Sequence, residues 1–312
     1  MTDTSQRPAG LVARVQRRFA ALDPVLRAMI WSALAGFQFC VLNALLRVQT
    51  ESLDPFVAQC LRYAAGFVVM WPLILRAGPA AYMPHRIGGQ FARGLVHTFG
   101  LSLWFIALPR IPLADTTAIG FTGPLFMMIG AWLVFGEAMR RDRWLATIAG
   151  FAGVLIVVGP QLSGSGGVWH LVMLASCPVF AVSFLITKAQ TRYESAAVIV
   201  VWQAITVTLF SLPLAWLNWS TPQPWQWLLF LVCGLLGSSG HFCLTRSLAV
   251  APVSSTQSVK FLDLVWSTFM GWVLFAEPAS ATTLAGGTVI SIATVWIARR
   301  EARAATRAKM EQ

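Results

Sequence analysis

The sequence predicts an all-α integral membrane protein in which ten transmembrane helices form two inverted five-helix repeats. Three observations lead to this fold class. The composition is strongly apolar, ten apolar runs are long enough to cross a bilayer, and one segment recurs with an offset of 140 residues. Together these features are typical of membrane proteins assembled from internal repeats.

Lipid, and not water, is the solvent that this composition suits. Of the 312 residues, 57% are hydrophobic and 11% are charged, whereas a soluble globular domain carries about 25% charged residues. The net charge of +11 would indicate a nucleic-acid partner in a soluble protein. Here the basic residues cluster at the ends of apolar runs, so we expect a lipid bilayer around the chain and no nucleic acid.

Ten segments meet the requirement of about 20 mostly apolar residues for a spanning helix. Short polar or turn-rich joints separate them, so no soluble domain is inserted between spans. The ten predicted spans, in chain order, cover residues 28–46, 54–75, 91–109, 113–135, 144–160, 168–187, 196–217, 225–245, 253–275 and 281–298.

The distribution of Lys and Arg predicts the orientation of these spans. With the N-terminus in the cytoplasm, nearly all basic residues near span ends, Arg93 among them, lie on the cytoplasmic side, and only Arg47 and Arg110 lie opposite. We therefore expect an inner-membrane protein with both termini in the cytoplasm. Because each half contains five spans, the second half must be inverted. Arg62 falls within the second span, and we expect its side chain to reach back to the outer interface.

Four regions follow from this division. They are a basic N-terminal segment at 1–27, a first repeat at 28–160, a second, inverted repeat at 168–298 and a basic cytoplasmic tail at 299–312. The first region is either a short helix on the inner leaflet or a disordered tail. The five Cys residues lie in apolar runs without a CxxC spacing, so we expect neither disulfides nor a structural metal, and no cofactor.

Residues 112–137 return without a gap as residues 252–277. Self-similarity at a fixed offset indicates two structural halves derived from one ancestral unit. Upstream of this segment, Gly94 and Gly100 recur as Gly234 and Gly240. The identical pairs within the segment are Pro112/Pro252, Thr116/Thr256, Phe121/Phe261, Trp132/Trp272, Phe135/Phe275 and Glu137/Glu277.

This plan resembles the EamA-type ten-helix exporters of the drug/metabolite transporter superfamily over nearly the whole chain. The clearest match is Ala107–Glu137, where a Pro-marked turn and small polar residues precede a mid-helix proline, Pro124, and a terminal glutamate. The second repeat keeps Glu277 but has Leu264 where Pro124 would recur. Within the family, the chain is most similar to the bacterial aromatic amino acid exporters. The resemblance implies a central cavity between spans 1, 3, 4, 6, 8 and 9, with spans 5 and 10 at the periphery.

Charged and titratable residues inside spans mark candidate substrate contacts, because they are costly in hydrocarbon unless they face a cavity or one another. Lys260 and Asp263 share one face of the ninth span. They form either a charged cavity wall for an amino acid or a structural ion pair. His97 and His241 lie at nearly equivalent repeat positions in spans 3 and 8. They either carry protons or stay neutral and bond to a neighbouring helix.

Neutral polar and aromatic residues complete the candidate site. Gln38 and Asn43 in the first span bond either to a substrate or to neighbouring helices. Thr117 either lines the cavity or caps the start of the fourth span. We expect Trp104, Phe121 and Trp266 to form either an apolar cavity wall for aromatic side chains or packing contacts between helices.

The sequence lacks the motifs of ATP-driven pumps and of membrane enzymes. It contains no GxxxxGK[ST], HExxH or GxSxG pattern, so we predict that the protein is not an enzyme. The expected function is a secondary transporter that exports amino acids, aromatic and other neutral ones, and related small metabolites by alternating access. Small residues at four-residue spacing in spans 5 and 10 serve either close packing within the bundle or a homodimer.

Two alternative transport functions stay open. One is a nucleotide-sugar or sugar-phosphate exchanger, which would need several cationic residues facing the cavity. Lys260 is the one cationic residue that the sequence clearly places at the cavity. The other alternative is a multidrug or lipophilic-cation exporter of the same superfamily.

Overall fold

The structure, a computed structural model, describes residues 19–120, 122–135, 141–162, 167–251, 261–278 and 280–310. Phe121, Glu137 and Lys260 therefore lie outside the described residues. Within the described ranges the chain is helical, with short turns between helices and no β-strand. The α-helices are α1 (Pro24–Thr50), α2 (Pro55–Ala77), α3 (Ile87–Ala107), α4 (Leu113–Gly120), α5 (Gly123–Phe135), α6 (Arg141–Leu162), α7 (Gly167–Gln190), α8 (Ala196–Leu217), α9 (Pro224–Val250), α10 (Phe261–Phe275) and α11 (Ala281–Met310).

Seven segments of the described chain are long and apolar enough to cross a bilayer. They are α1, α2, α3, the pair α4–α5, α7, α8 and α9. The other three predicted spans overlap α6, α10 and α11. Residues 253–260 of the ninth predicted span lie outside the described residues. Of these, α10 and α11 contain shorter apolar stretches at Val265–Phe275 and Ala281–Ala293. The predicted all-α, multi-pass membrane fold is confirmed, and the count of ten spans stays a prediction.

The fourth predicted span is interrupted. α4 ends at Gly120 and α5 begins at Gly123, next to Pro124. Proline lacks the backbone N–H that an uninterrupted helix would need at this position, so the two helices do not continue as one. Thr122 bridges them, because its hydroxyl donates to the carbonyl of Ile119 at 2.7 Å and its own carbonyl accepts from the first turn of α5. Broken spans of this kind line pathways in membrane transport proteins.

The helix contacts repeat when the two halves are exchanged. In that exchange α1 corresponds to α7, α2 to α8, α3 to α9, α4–α5 to α10 and α6 to α11. The contact of α1 with α9 is then matched by that of α7 with α3, and the contact of α2 with α9 by that of α8 with α3. The contacts α2–α8 and α6–α11 each join two corresponding helices, so the exchange leaves them unchanged. Inverted repeats produce this two-fold relation, so the packing supports the predicted architecture.

The helices with small-residue spacing, α6 and α11, pack against each other within one chain. Close packing within the bundle therefore accounts for their small residues, and a homodimer stays a prediction. α11 also runs on through the predicted basic tail as far as Met310. Residues 299–310 thus extend the last helix.

Two glycines at corresponding positions allow close approaches between helices of the two halves. Gly94 in α3 lies against Thr206 of α8, and Gly234 in α9 lies against the backbone of Ala65 and Gly66 in α2. A Cβ atom at Gly234 would lie 2.6 Å from the carbonyl carbon of Ala65, closer than van der Waals contact allows. Helices in lipid associate through such close packing, because hydrocarbon gives them no hydrophobic driving force.

An ion pair ties the two halves together at one end of the bundle. The carboxylate of Glu277, which follows α10, accepts from both terminal nitrogens of Arg47 at the end of α1, at 2.5 and 2.7 Å. It also accepts from the backbone N–H of Leu113 at 3.4 Å, and the Arg47 guanidinium lies 4.6 Å from the ring centroid of Phe275. The helix macrodipole disfavours a carboxylate at this end, and Arg47 supplies the compensation that the sequence around Glu277 lacks. We call the Arg47–Glu277 pair the interhalf latch.

We predict that Gly234→Ala destabilises the protein by about 1–3 kcal/mol, because the added methyl group overlaps the α2 backbone and must push α9 away. Thermal unfolding of the purified protein in detergent measures the effect. The matched control is Gly88→Ala in the first turn of α3, where an added Cβ meets nothing within 4 Å. Equal melting temperatures for the two variants would contradict the close α2–α9 contact.

We also predict that Arg47→Gln and Glu277→Gln each lower the free energy of unfolding by roughly 1–3 kcal/mol, less than a fully buried pair would lose. Because both substitutions remove the same interaction, the double variant should lose less free energy of unfolding than the sum of the two single losses. Denaturant titration in micelles gives the three values. Arg76→Gln, at an exposed position at the end of α2, is the control and should change stability by no more than about 0.5 kcal/mol. Additive single effects would show that the latch contributes nothing.

Candidate functional site

The two histidines predicted from the repeat lie together at the centre of the bundle. The ring centroids of His97 in α3 and His241 in α9 are 5.4 Å apart. The hydroxyl of Tyr63 in α2 lies between them, 3.0 Å from Nε2 of His97 and 3.4 Å from Nε2 of His241. The other ring nitrogen of His97 is 3.0 Å from the hydroxyl of Ser183 in α7. All four side chains are buried, so this polar centre joins helices from both halves.

Hydrogen bonds around Gln203 in α8 fix the tautomer of His241. Arg93 can only donate, and its Nη2 lies 2.8 Å from Oε1 of Gln203, which sets the orientation of the amide. The amide nitrogen of Gln203 therefore faces Nε2 of His241, at 3.3 Å, and donates to it. Nε2 of His241 must then accept, so this imidazole is neutral with its proton on Nδ1.

Arg93 joins three helices in the interior. Besides Gln203, it donates to the hydroxyl of Thr187 in α7 at 2.5 Å and to the backbone carbonyl of Ile199 in α8 at 3.1 Å. Its side chain is 1% exposed. Neighbouring helices cover the face of α3 on which Arg93 stands. Its place on the cytoplasmic side of the membrane stays a prediction.

Arg62 also lies in the interior and not at the outer interface. Its side chain is 4% exposed, and its guanidinium lies 3.9 Å from the ring centroid of Tyr63. Gly237 of α9 leaves room for it, since a Cβ atom there would overlap the guanidinium. The prediction that Arg62 reaches the outer interface was therefore wrong. The α9 face that it contacts is open because Gly237 has no side chain.

Aromatic rings surround the histidine pair in a two-fold pattern. Phe39 of α1 lies 5.0 Å from the ring of His241, and Phe180 of α7 lies 5.2 Å from the ring of His97. Phe184, one turn further along α7, is 6.2 Å from His97 and stacks with Phe180. Each imidazole is thus flanked by phenyl groups from the opposite half, which gives the polar centre an apolar wall.

The centre is nearly closed in this conformation. A cavity lined by Arg62, Tyr63, Gln203, Ser238 and His241, among others, has about 10 Å³ open to the centre of a water molecule. That volume holds roughly one water. A larger ligand therefore enters only when the helices around the cavity separate.

Two other predicted candidates, Asp263 and Trp266, contact α1. Asp263 packs its carboxylate against Gly36 of α1, and its backbone carbonyl accepts from the thiol of Cys40 at 3.4 Å. Trp266 lies edge-on to Phe37 of α1 with ring centroids 5.4 Å apart. These residues define a contact between α1 and α10.

Four further candidates complete this comparison. Gln38 has a buried side-chain oxygen with no hydrogen-bond partner among the described residues, and Asn43 is half-buried on α1. The hydroxyl of Thr117 donates to the carbonyl of Leu113, one turn back in its own helix, at 3.2 Å. Trp104 packs between two hydrophobic core clusters. Phe121 and Lys260 lie outside the described residues, so their predicted roles are untested.

Sequence reasoning missed Tyr63, Gln203 and Arg93 as members of the site. The repeat held a usable signal, because the offset of 140 residues relates Tyr63 to Gln203. Both contact Nε2 of His241, from helices that correspond when the halves are exchanged. Arg93 carried a weaker signal, as a charged residue just inside the predicted third span.

The chain is similar to known proteins over nearly its whole length. The model of the EamA-like transporter family matches the chain twice, at residues 26–159 and 167–299. A riboflavin transporter of Rhizobium johnstonii is 30% identical over 278 residues, 88% of this chain and 91% of that protein. An S-adenosylmethionine uptake transporter of Rickettsia prowazekii is 26% identical, covering 89% and 94%. The pseudopaline exporter CntI of Pseudomonas aeruginosa is 27% identical, covering 89% and 98%.

A solved crystal structure shares the fold. It has a TM-score of 0.64 and 18% sequence identity, and it covers 86% of this chain and 98% of its own. The twofold match of the family model agrees with the two repeats predicted from the sequence. The chain therefore belongs to the EamA-like transporter family of the drug/metabolite transporter superfamily, and it is a small-molecule transporter and not an enzyme.

Proposed function

We propose that the protein is a secondary transporter of the bacterial inner membrane that exports small metabolites, including amino acids with aromatic and other neutral side chains. The observation that carries this proposal is the polar centre, to which each half contributes one histidine and flanking phenyl rings. A substrate bound between two inverted halves is exposed to either side as the halves move.

The side chains at the centre suit a ligand with both a polar and an aromatic part. Arg62, Tyr63 and Gln203 can bond to a carboxylate, and their donors lie around one small cavity. Phe39 and Phe180 provide an apolar surface beside it. Known relatives named for uptake and for export are both similar to this chain, so the direction of transport remains part of the proposal.

The interhalf latch supports alternating access. It joins α1 of the first half to the end of α10 in the second half, at the end of the bundle that the proposed orientation places outside. With the latch formed and the cavity nearly closed, the conformation is occluded towards that side. Outward opening then requires Arg47 and Glu277 to separate.

A second candidate, the sugar-phosphate or nucleotide-sugar exchanger, gains support from the two buried arginines. Such an exchanger needs several cationic residues at the cavity. Arg62 lines the cavity, and Arg93 bonds to Gln203 on the same wall. Guanidinium groups bind phosphate as well as carboxylate.

We predict that labelled L-phenylalanine accumulates by counterflow in liposomes that hold the purified protein, and that Tyr63→Phe slows uptake about tenfold. The variant keeps the aromatic ring but removes the hydroxyl that joins the two histidines, a loss of about 1.4 kcal/mol. The matched control is Tyr82→Phe, in the turn between α2 and α3, which should transport normally.

The same assay tests coupling and the amino acid proposal. Uptake that is unchanged by a pH gradient would favour facilitated exchange, and uptake that follows the gradient would favour proton coupling through the histidine pair. No saturable uptake of any amino acid, by protein shown to be folded and inserted, would overturn the amino acid proposal. If Tyr63→Phe and Tyr82→Phe slowed uptake equally, the polar centre would not be the transport site.

A further inference from the structure

We propose that the transported compound carries a carboxylate or phosphate group and that Arg62 binds this anionic group at the central cavity. The inference rests on the proposed function, because it names the substrate class of the same site. It adds that organic anions bind better than neutral compounds of the same shape and that cations are rejected.

Two arginines, Arg62 and Arg93, place positive charge at the centre. In the described part of the chain, carboxylates lie within ion-pair distance of three basic side chains: Glu277 beside Arg47, Glu194 beside His85 and Asp115 beside His170. Among the described residues, neither Arg62 nor Arg93 has a carboxylate within ion-pair distance. Burying a charge in a membrane protein without compensation is costly. An anion that enters the centre would supply the compensation.

The two arginines differ in how their donors are used. Arg93 donates to Thr187, Ile199 and Gln203, so its hydrogen bonds are satisfied by neutral oxygens while its charge is not compensated. Arg62 lies over a tyrosine ring, and its Nε has no hydrogen-bond partner within the described chain. Arg62 is therefore the group that is available to a ligand, and Arg93 adds to the positive field beside it.

The wall around Arg62 is built of small residues. Gly66, Gly234, Gly237 and Ser238 line the cavity with it. Small side chains allow an oxyanion to reach the fork of guanidinium donors, whose geometry matches two oxygens of a carboxylate or a phosphate. When the helices separate, the cavity can enlarge at this wall without displacing bulky groups.

The cavity offers nothing comparable to a cation. Its described lining contains no carboxylate, so an ammonium group there would face Arg62 without a partner of opposite charge. Phe39 and Phe180 beside the imidazoles favour an aromatic ring. The best ligand therefore joins an aromatic or other apolar part to one anionic group.

Thermal unfolding of the purified full chain in detergent tests this assignment. Four compounds share an aromatic ring and differ in charge: N-acetyl-L-phenylalanine and phenyl phosphate are anions, N-acetyl-L-phenylalaninamide is neutral, and L-phenylalaninamide is a cation. A ligand that binds the folded protein raises the unfolding midpoint. We expect a rise with the anions and none with the neutral compound or the cation, and the two anions separate a carboxylate site from a phosphate site.

Variants of Arg62 show whether this residue is the binding group. Arg62→Gln should bind the anions about ten- to a hundredfold more weakly. Its midpoint without ligand should stay level or rise, because an uncompensated buried charge has been removed. Arg62→Lys should restore part of the anion response. The matched control is Arg76→Gln, an exposed arginine at the end of the same helix, which should keep the full response.

Two results would overturn the assignment: a rise with L-phenylalaninamide as large as with the anions, or an anion response retained in Arg62→Gln. Its failure can be told apart from failure of the proposed function. Anion binding through Arg62 without amino acid counterflow would keep the anion site and refute amino acid transport. Amino acid counterflow that Arg62→Gln leaves unchanged would keep the transport function and refute the anion site.

Discussion

The hydrogen bonds of Arg93 organise the centre of this protein. Hydrocarbon offers a guanidinium no hydrogen-bond partner, so Arg93 on α3 donates hydrogen bonds to oxygens of α7 and α8. One of these oxygens belongs to Gln203, and its position fixes the amide, which in turn determines the nitrogen of His241 that accepts. Tyr63 then links His241 to His97. One buried cation thus orients a network that extends through both halves.

This network specifies a geometry without locking it. Hydrogen bonds between helices in a membrane contribute only about 1–2 kcal/mol each or less. The halves are also held by backbone contact at Gly234 and by the interhalf latch. These contacts lie at different depths, so one group can part while the others hold. A carrier needs this property, because a bundle held at all depths by strong bonds would not exchange between conformations.

The internal repeat made much of the fold predictable. The offset of 140 residues identified Gly94 and Gly234 before any contact was known, and it placed His97 and His241 on corresponding helices. Hydropathy could not show which face of a helix meets a neighbour. Arg62 was for that reason predicted to reach the outer interface, although its side chain is buried. The partners of the histidines come from α2, α7 and α8, and that convergence depends on tertiary contacts that a charge pattern does not encode.

The small volume of the central cavity has a consequence for the proton gradient across the membrane. Hydroxyl and imidazole groups joined by a file of water would conduct protons, and a cell that keeps a proton gradient would lose it through such a path. Room for about one water at the cavity breaks that file. In this conformation, tight packing around Tyr63 and the histidines therefore interrupts a water path for protons at the centre.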